Sequence, residues 1–89
     1  MTTKKYYELI SQWNPEMVLY IRYRTKHSIG RITMSIAFFL EKNIKISRMM
    51  KKVDIVEIYL MNELTGVAIT YFDSIADAWF YAIGEKYHG

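Results

Sequence analysis

Apolar residues set the first rhythm along the chain. Tyr6, Leu9, Ile10 and Trp13 fall at i, i+3, i+4 and i+7. That is the one-face spacing of a helix, and it predicts one over residues 3–13. Thr2 or Thr3 supplies its cap. Asn14-Pro15 ends it, because the residue before a proline avoids helical dihedrals. From Met17 to Thr25 the period falls to two. Met17, Leu19, Ile21 and Tyr23 make one face of a predicted strand, and Val18, Tyr20, Arg22 and Arg24 make the other. Residues 26–30 read as a turn, with Gly30 able to take a positive φ.

Residues 31–40 satisfy two patterns at once. Ile32, Met34, Ile36, Phe38 and Leu40 alternate with Arg31, Thr33, Ser35, Ala37 and Phe39. That describes a strand hairpinned to residues 17–25. The rival is a helix with Ile29, Ile32, Ile36, Phe39 and Leu40 on one face. The alternation is longer and leaves fewer apolar residues unassigned, so the strand is the expectation. It sends Phe39 outward. Glu41-Lys42-Asn43 then becomes a polar break, and Ser47 caps a short helix. Ile46, Met49, Met50 and Val53 form the inner stripe of that helix, with Arg48, Lys51 and Lys52 outside.

The second half is plainer. Residues 54–61 and 67–72 form a hairpin around Asn62-Glu63-Leu64-Thr65-Gly66, a turn of suitable length and composition. Val56, Ile58 and Leu60 are expected on one face, opposed by Val67, Ile69 and Tyr71. Asp73 is expected to cap the last helix, with Asp77 in its first turns where the helix dipole favours an acid. Ile75, Ala78, Trp79, Ala82 and Ile83 form its buried stripe, and Gly84 weakens its end. The order α-β-β-α-β-β-α predicts a small single α+β domain over residues 1–89. Its simplest packing is a four-stranded antiparallel sheet with helices on one face.

Composition narrows the class. A chain of 89 residues and 10.6 kDa holds one core but no deep substrate cleft. Its 52% apolar and 16% aromatic content excludes disorder. The absence of cysteine excludes a disulfide scaffold and a thiolate metal site. Apolar runs such as residues 36–40 fall far short of the roughly 20 residues a membrane span needs. Tyr6-Tyr7-Glu8 breaks any signal-like run after Lys4-Lys5. A soluble, cytoplasmic protein with no membrane partner is expected, in the host cytoplasm if the chain is viral.

Charge changes the picture more. The net charge is +3, unevenly spread. Residues 1–52 carry eleven Lys and Arg against three acids, a net +8. Residues 53–89 carry Lys86 against six acids, a net −5. Either the halves neutralise each other in the fold, or a basic surface awaits an anionic partner.

Catalytic chemistry is sparse. His27 and His88 are the only histidines, the glycines are scattered, and no phosphate-cradling or nucleophile-elbow motif occurs. Asp73 and Asp77 are the one carboxylate pair, assigned to helix capping. No enzyme activity, metal or cofactor is expected.

Binding chemistry is present. Pairing of residues 17–25 with 31–40 merges their outward faces. Tyr20, Arg22 and Arg24 then lie near Arg31, Thr33 and Ser35, with Tyr59 on the same surface. Arginines for phosphates and rings for bases are the combination that holds single-stranded nucleic acid. Arg48, Lys51 and Lys52 would add phosphate contacts. The candidate interface is therefore Tyr20, Arg22, Arg24, Arg31, Arg48, Lys51, Lys52 and Tyr59, and the expected partner is RNA or an RNA–protein complex. A plain solvated strand face would use the same residue types.

The alternative is a protein target or a second copy of the chain, forming a homo-oligomer. It would be bound through exposed aromatics or the acidic C-terminal helix with Asp73, Asp77 and Glu85. Eight Tyr, two Trp and six Met are more than one small core hides. No motif places the chain in a family, and the RNA-recognition signature K/R-G-F/Y-G/A-F-V-x-F/Y is absent. In being short, motif-free and rich in Lys, Ile, Met and Tyr, it resembles small accessory proteins of large bacteriophages. That resemblance implies a non-catalytic inhibitor that binds and blocks a host or defence factor.

Overall fold

A computed structural model describes Glu8 and residues 11–84. The elements are β1 (Met17–Arg24), β2 (Ile29–Ser35), α1 (Ile36–Met50), β3 (Asp54–Asn62), β4 (Val67–Phe72) and α2 (Ile75–Ala82). The helix expected over 3–13 lies mostly outside the described residues, though Glu8, Ser11 and Gln12 are helical. The class is α+β, with one four-stranded antiparallel sheet and two helices among the described residues.

Strand order is β2-β1-β3-β4. β1 is therefore central, with β2 and β3 antiparallel to it on either side. β1 and β2 are joined by a tight turn in which Thr25 N–H donates to Ser28 O at 2.7 Å. The Thr25 hydroxyl accepts from Ser28 N–H at 3.1 Å. Gly30 does not form this turn. It is an extended residue of β2 paired with Tyr23, and a Cβ there would lie 2.5 Å from the Tyr23 ring. The glycine makes room for the ring that crosses it and takes no positive φ.

Residues 31–40 divide between the two competing patterns. The strand reading holds as far as Ser35, and the helix begins at Ile36. Ser35 is the N-cap, its hydroxyl accepting from Phe38 N–H at 3.1 Å. Ser47 is an interior residue of the same helix. The expected break at 41–43 is a kink: Lys42 leaves helical dihedrals at φ −112° and ψ 17°. Asn43 Nδ2 donates to Leu40 O at 2.9 Å beside it. Phe39, expected outside, is 1% exposed and lies in the core. Ile36, Phe39, Leu40, Ile46 and Met50 are the buried stripe of α1.

They meet Leu19 and Ile21 of β1, Met34 of β2, and Ile58 and Leu60 of β3, with Ala78 and Ala82 of α2 completing one apolar cluster. Ile75, Trp79 and Ile83 pack against it as expected. The α2 cap is Ser74 rather than Asp73: the Ser74 hydroxyl accepts from Asp77 N–H at 3.1 Å. Gly84 takes φ +78°, the left-handed conformation that stops a helix cheaply only at glycine. Trp13 ties the chain before β1 to this end, donating from Nε1 to Ala82 O at 3.0 Å.

Two register shifts reassign faces. Between β1 and β3 the pairing passes from Arg22–Glu57 to Tyr23–Ile55, skipping Val56. Val56 is accordingly 51% exposed instead of buried with Ile58 and Leu60. Between β3 and β4 the pairing passes from Met61–Ala68 to Leu60–Thr70, skipping Ile69. Phe72 then falls opposite Ile58, and Tyr71 opposite Tyr59. The expected opposition of Val67, Ile69 and Tyr71 to the buried face of β3 is overturned, and all three are exposed. A bulge adds one residue to one strand, and one residue reverses the side every later side chain takes.

Candidate nucleic-acid interface

The helices cover the sheet face that carries Leu19, Ile21, Ile58 and Leu60. The alternate residues of the same strands point to the other face. Cross-strand pairing arranges them in rows. One row runs Ser35–Val18–Met61–Ala68, the next Thr33–Tyr20–Tyr59–Tyr71, and the third Arg31–Arg22–Glu57.

The middle row is aromatic over three strands. Tyr20 and Tyr59 are stacked, with centroids 4.7 Å apart and planes at 25°. Tyr59 and Tyr71 are tilted at 42° with centroids 5.0 Å apart. Tyr59 thus has a ring on each side, and its hydroxyl pKa is pushed above 10.0. Burial is the largest cause, followed by Tyr20, Glu57 and Tyr71, while Arg31 pulls it back. Tyr71 ends the row with 61% of its surface open. Tyr59 aligns the row; Tyr71 is its exposed end and Tyr20 its half-buried one.

The adjoining row sets two arginines opposite each other on neighbouring strands. Arg22 and Arg31 are direct cross-strand partners and both are exposed. Directly opposed like charges cost a sheet free energy. Glu57, opposite Arg22 on its other side, offsets part of that cost. Tyr20, Arg22, Ile29, Gly30 and Arg31 line a shallow depression of about 380 Å³ at this corner. Its walls are one ring, two cations and the bare backbone of a glycine.

The remaining expected residues lie elsewhere. Arg24 shares β1 but is bound to Asp54, Nη2 to Oδ2 at 2.8 Å, both side chains well exposed. This is the one ion pair within 4 Å among the described residues. Among the described residues, the basic and acidic halves therefore do not neutralise each other pair by pair. Arg48 is on α1, and Lys51 and Lys52 follow it, all exposed. They belong to the helical layer, away from the tyrosine row. The structure brings together Tyr20, Arg22, Arg31 and Tyr59, and adds Tyr71. Sequence reasoning missed Tyr71 because the bulge at Ile69 is invisible in hydropathy alternation.

Among the described residues no group of three His, Cys, Asp or Glu side chains is placed to hold a metal. No described helix is long and apolar enough to cross a membrane. Neither a family model, nor a curated protein, nor a solved structure matches the chain.

Proposed function

We propose that this protein is a non-catalytic module that binds single-stranded RNA on the open face of its sheet. The observation that carries this reading is the tyrosine row lying directly beside the Arg22–Arg31 pair. Aromatic faces accept any base by stacking, for about 1–3 kcal/mol per base, while a positive strip tracks the phosphates. Tyr20 and Tyr71 supply the stacking surfaces, and Tyr59 holds them in line. A phosphate placed between Arg22 and Arg31 relieves their mutual repulsion, so binding gains what folding gave up. Glu57, next in that row, is an acceptor suited to a ribose 2′-hydroxyl, the group that separates RNA from DNA. Duplex DNA fits poorly, because this face presents no helix to a major groove. Occupying an RNA or an RNA–protein complex in this way makes the protein a sequestering factor or inhibitor, by competition rather than chemistry.

The test is fluorescence anisotropy of labelled single-stranded RNA over a salt series. Expected is binding whose log–log salt slope is near −0.7 for each phosphate held. It should be weakened by joint replacement of Tyr20 and Tyr71 with alanine. Absence of binding at low salt, or indifference to that double replacement, refutes the reading.

A further inference from the structure

On the helical side of the sheet, β2 and α1 leave a cavity of about 240 Å³ between them. Met34 of β2 and Phe38, Met49 and Met50 of α1 form much of its apolar wall, and Lys42 and Lys45 complete the lining on the helix side. Phe38 and Met49 are its open lip, 49% and 48% exposed. Both lysines are exposed, and no acid is part of the lining. The kink at Lys42 falls within this stretch of α1. β2 is also an edge of the sheet, with β1 as its one neighbour. Its outer N–H and C=O groups therefore meet no other strand of the sheet.

We infer that this groove and the β2 edge together form a peptide-binding site. Its occupant is an extended, acidic segment of a partner protein, added as a further strand beside β2. Main-chain hydrogen bonds to an edge strand supply affinity in such additions, and pockets for alternate side chains supply selection. A strand laid along β2 points every second side chain to the helical side, into the groove. Methionine walls adapt to whichever apolar side chain enters. The two lysines, in a lining that holds no acid, select carboxylates on the incoming segment. A nucleic acid would meet the lysines but waste the apolar wall, and a helical partner would leave the edge groups unmet. β4, the other edge, is uncharged from Val67 to Phe72 and has no such cation pair. The groove lies on the opposite face of the sheet from the tyrosine row, although the β2 edge also carries Arg31.

The probe is a capped seven-residue peptide with glutamate at positions 1 and 7, valine or leucine at 3 and 5, and threonine at 2, 4 and 6, so that carboxylates and apolar side chains share one strand face; it is titrated into isotopically labelled protein. A peptide of the same composition rearranged to helical spacing is the comparison. Expected are amide shifts along residues 29–35 and methyl shifts at Met34, Met49 and Met50. Affinity should fall at least about tenfold in Met49→Glu and in the double variant Lys42→Glu with Lys45→Glu. All three replaced side chains are exposed, so unchanged amide spectra away from the groove establish folding. The inference fails if β2 amides do not shift, or if the rearranged peptide binds equally. It also fails if Met49→Glu keeps full affinity, or if the shifts fall on Tyr59 and Tyr71 instead.

Discussion

Replacing Arg31 with alanine separates a binding face from a merely solvated one. Arg31 stands opposite Arg22 on the neighbouring strand, and Arg22 stands opposite Glu57 on its other side. Arg31→Ala removes the repulsive pair and leaves the attractive one intact. Cross-strand pairs are each worth about 0.2–1 kcal/mol, so the variant should be more stable by about that amount. At a urea dependence of about 1 kcal/mol per molar, the unfolding midpoint rises by roughly 0.2–1 M. Arg22→Ala removes one repulsive and one attractive pair, and its midpoint should hardly move. The same Arg31→Ala variant should bind single-stranded RNA more weakly and with a salt slope smaller by about 0.7, the loss of one phosphate contact. Over about a fourfold rise in salt, it loses roughly 2.5-fold less affinity than the parent. Urea titration and anisotropy over a salt series read the two effects. A lowered midpoint would show that Arg31 supports the fold, and an unchanged salt slope would show that it meets no phosphate. Either result refutes the reasoning.

Three further outcomes are expected. Tyr71→Ala should cost about 1–3 kcal/mol in RNA binding with little change in urea stability, because that ring is 61% exposed; equal RNA affinity would remove it from the site. Ser35→Ala should lower stability by about 0.5–2 kcal/mol by deleting the α1 cap, with RNA binding intact, and an unmoved urea midpoint would mean the hydroxyl does not cap. Tyr59 should ionise above the ordinary phenol range in an alkaline absorbance titration, since its pKa is raised above 10.0 chiefly by burial. A folded state that favours the neutral phenol contributes its full stability below pH 10.0 and loses it as pH rises through the folded pKa; Tyr59→Phe should abolish both the late step and that loss.

Much of the fold is legible in the sequence where one period runs alone. β1, the β3–β4 hairpin, and the inner stripe of α2 follow from alternation or helical spacing. Failures occur where two periods overlap or where the count slips by one. Residues 31–40 hold a strand pattern and a helix pattern in succession. Choosing the strand for the whole run misplaced Phe39, which the rival helix set on its inner face. The signal that resolves it is Ser35, a capping residue that ends β2 and opens α1. The exposed side chains of Val56 and Tyr71 follow from bulges, which depend on how two strands fit together. No feature of either strand alone reveals them. Candidate site residues separate along the same line. Tyr20, Arg22, Arg31 and Tyr59 sit within uninterrupted registers and do share a face. Arg24 is near a strand end where Asp54 captures it, and Arg48, Lys51 and Lys52 followed a helix whose start was misread.

The surplus of aromatic residues has a structural account that does not require them all in the core. Among the described residues, two helices cover one face of a four-stranded sheet, and neither packs on the face that carries the tyrosine row. A bare face of aliphatic side chains would aggregate. Tyrosines resolve this by covering one another, as Tyr20, Tyr59 and Tyr71 do, while keeping hydroxyls for water. Solubility alone would account for that row. It does not account for the next one. A face built only to be solvated would set carboxylates against its arginines, as Asp54 is set against Arg24 at the sheet end. Arg31 instead faces Arg22, and Glu57 on the far side of Arg22 offsets only part of that cost. A cation pair only partly offset, beside a row of rings, is the arrangement a phosphate and its base would complete. That places the weight of the RNA reading on the arginine pair, and on the gain in stability expected when Arg31 is removed.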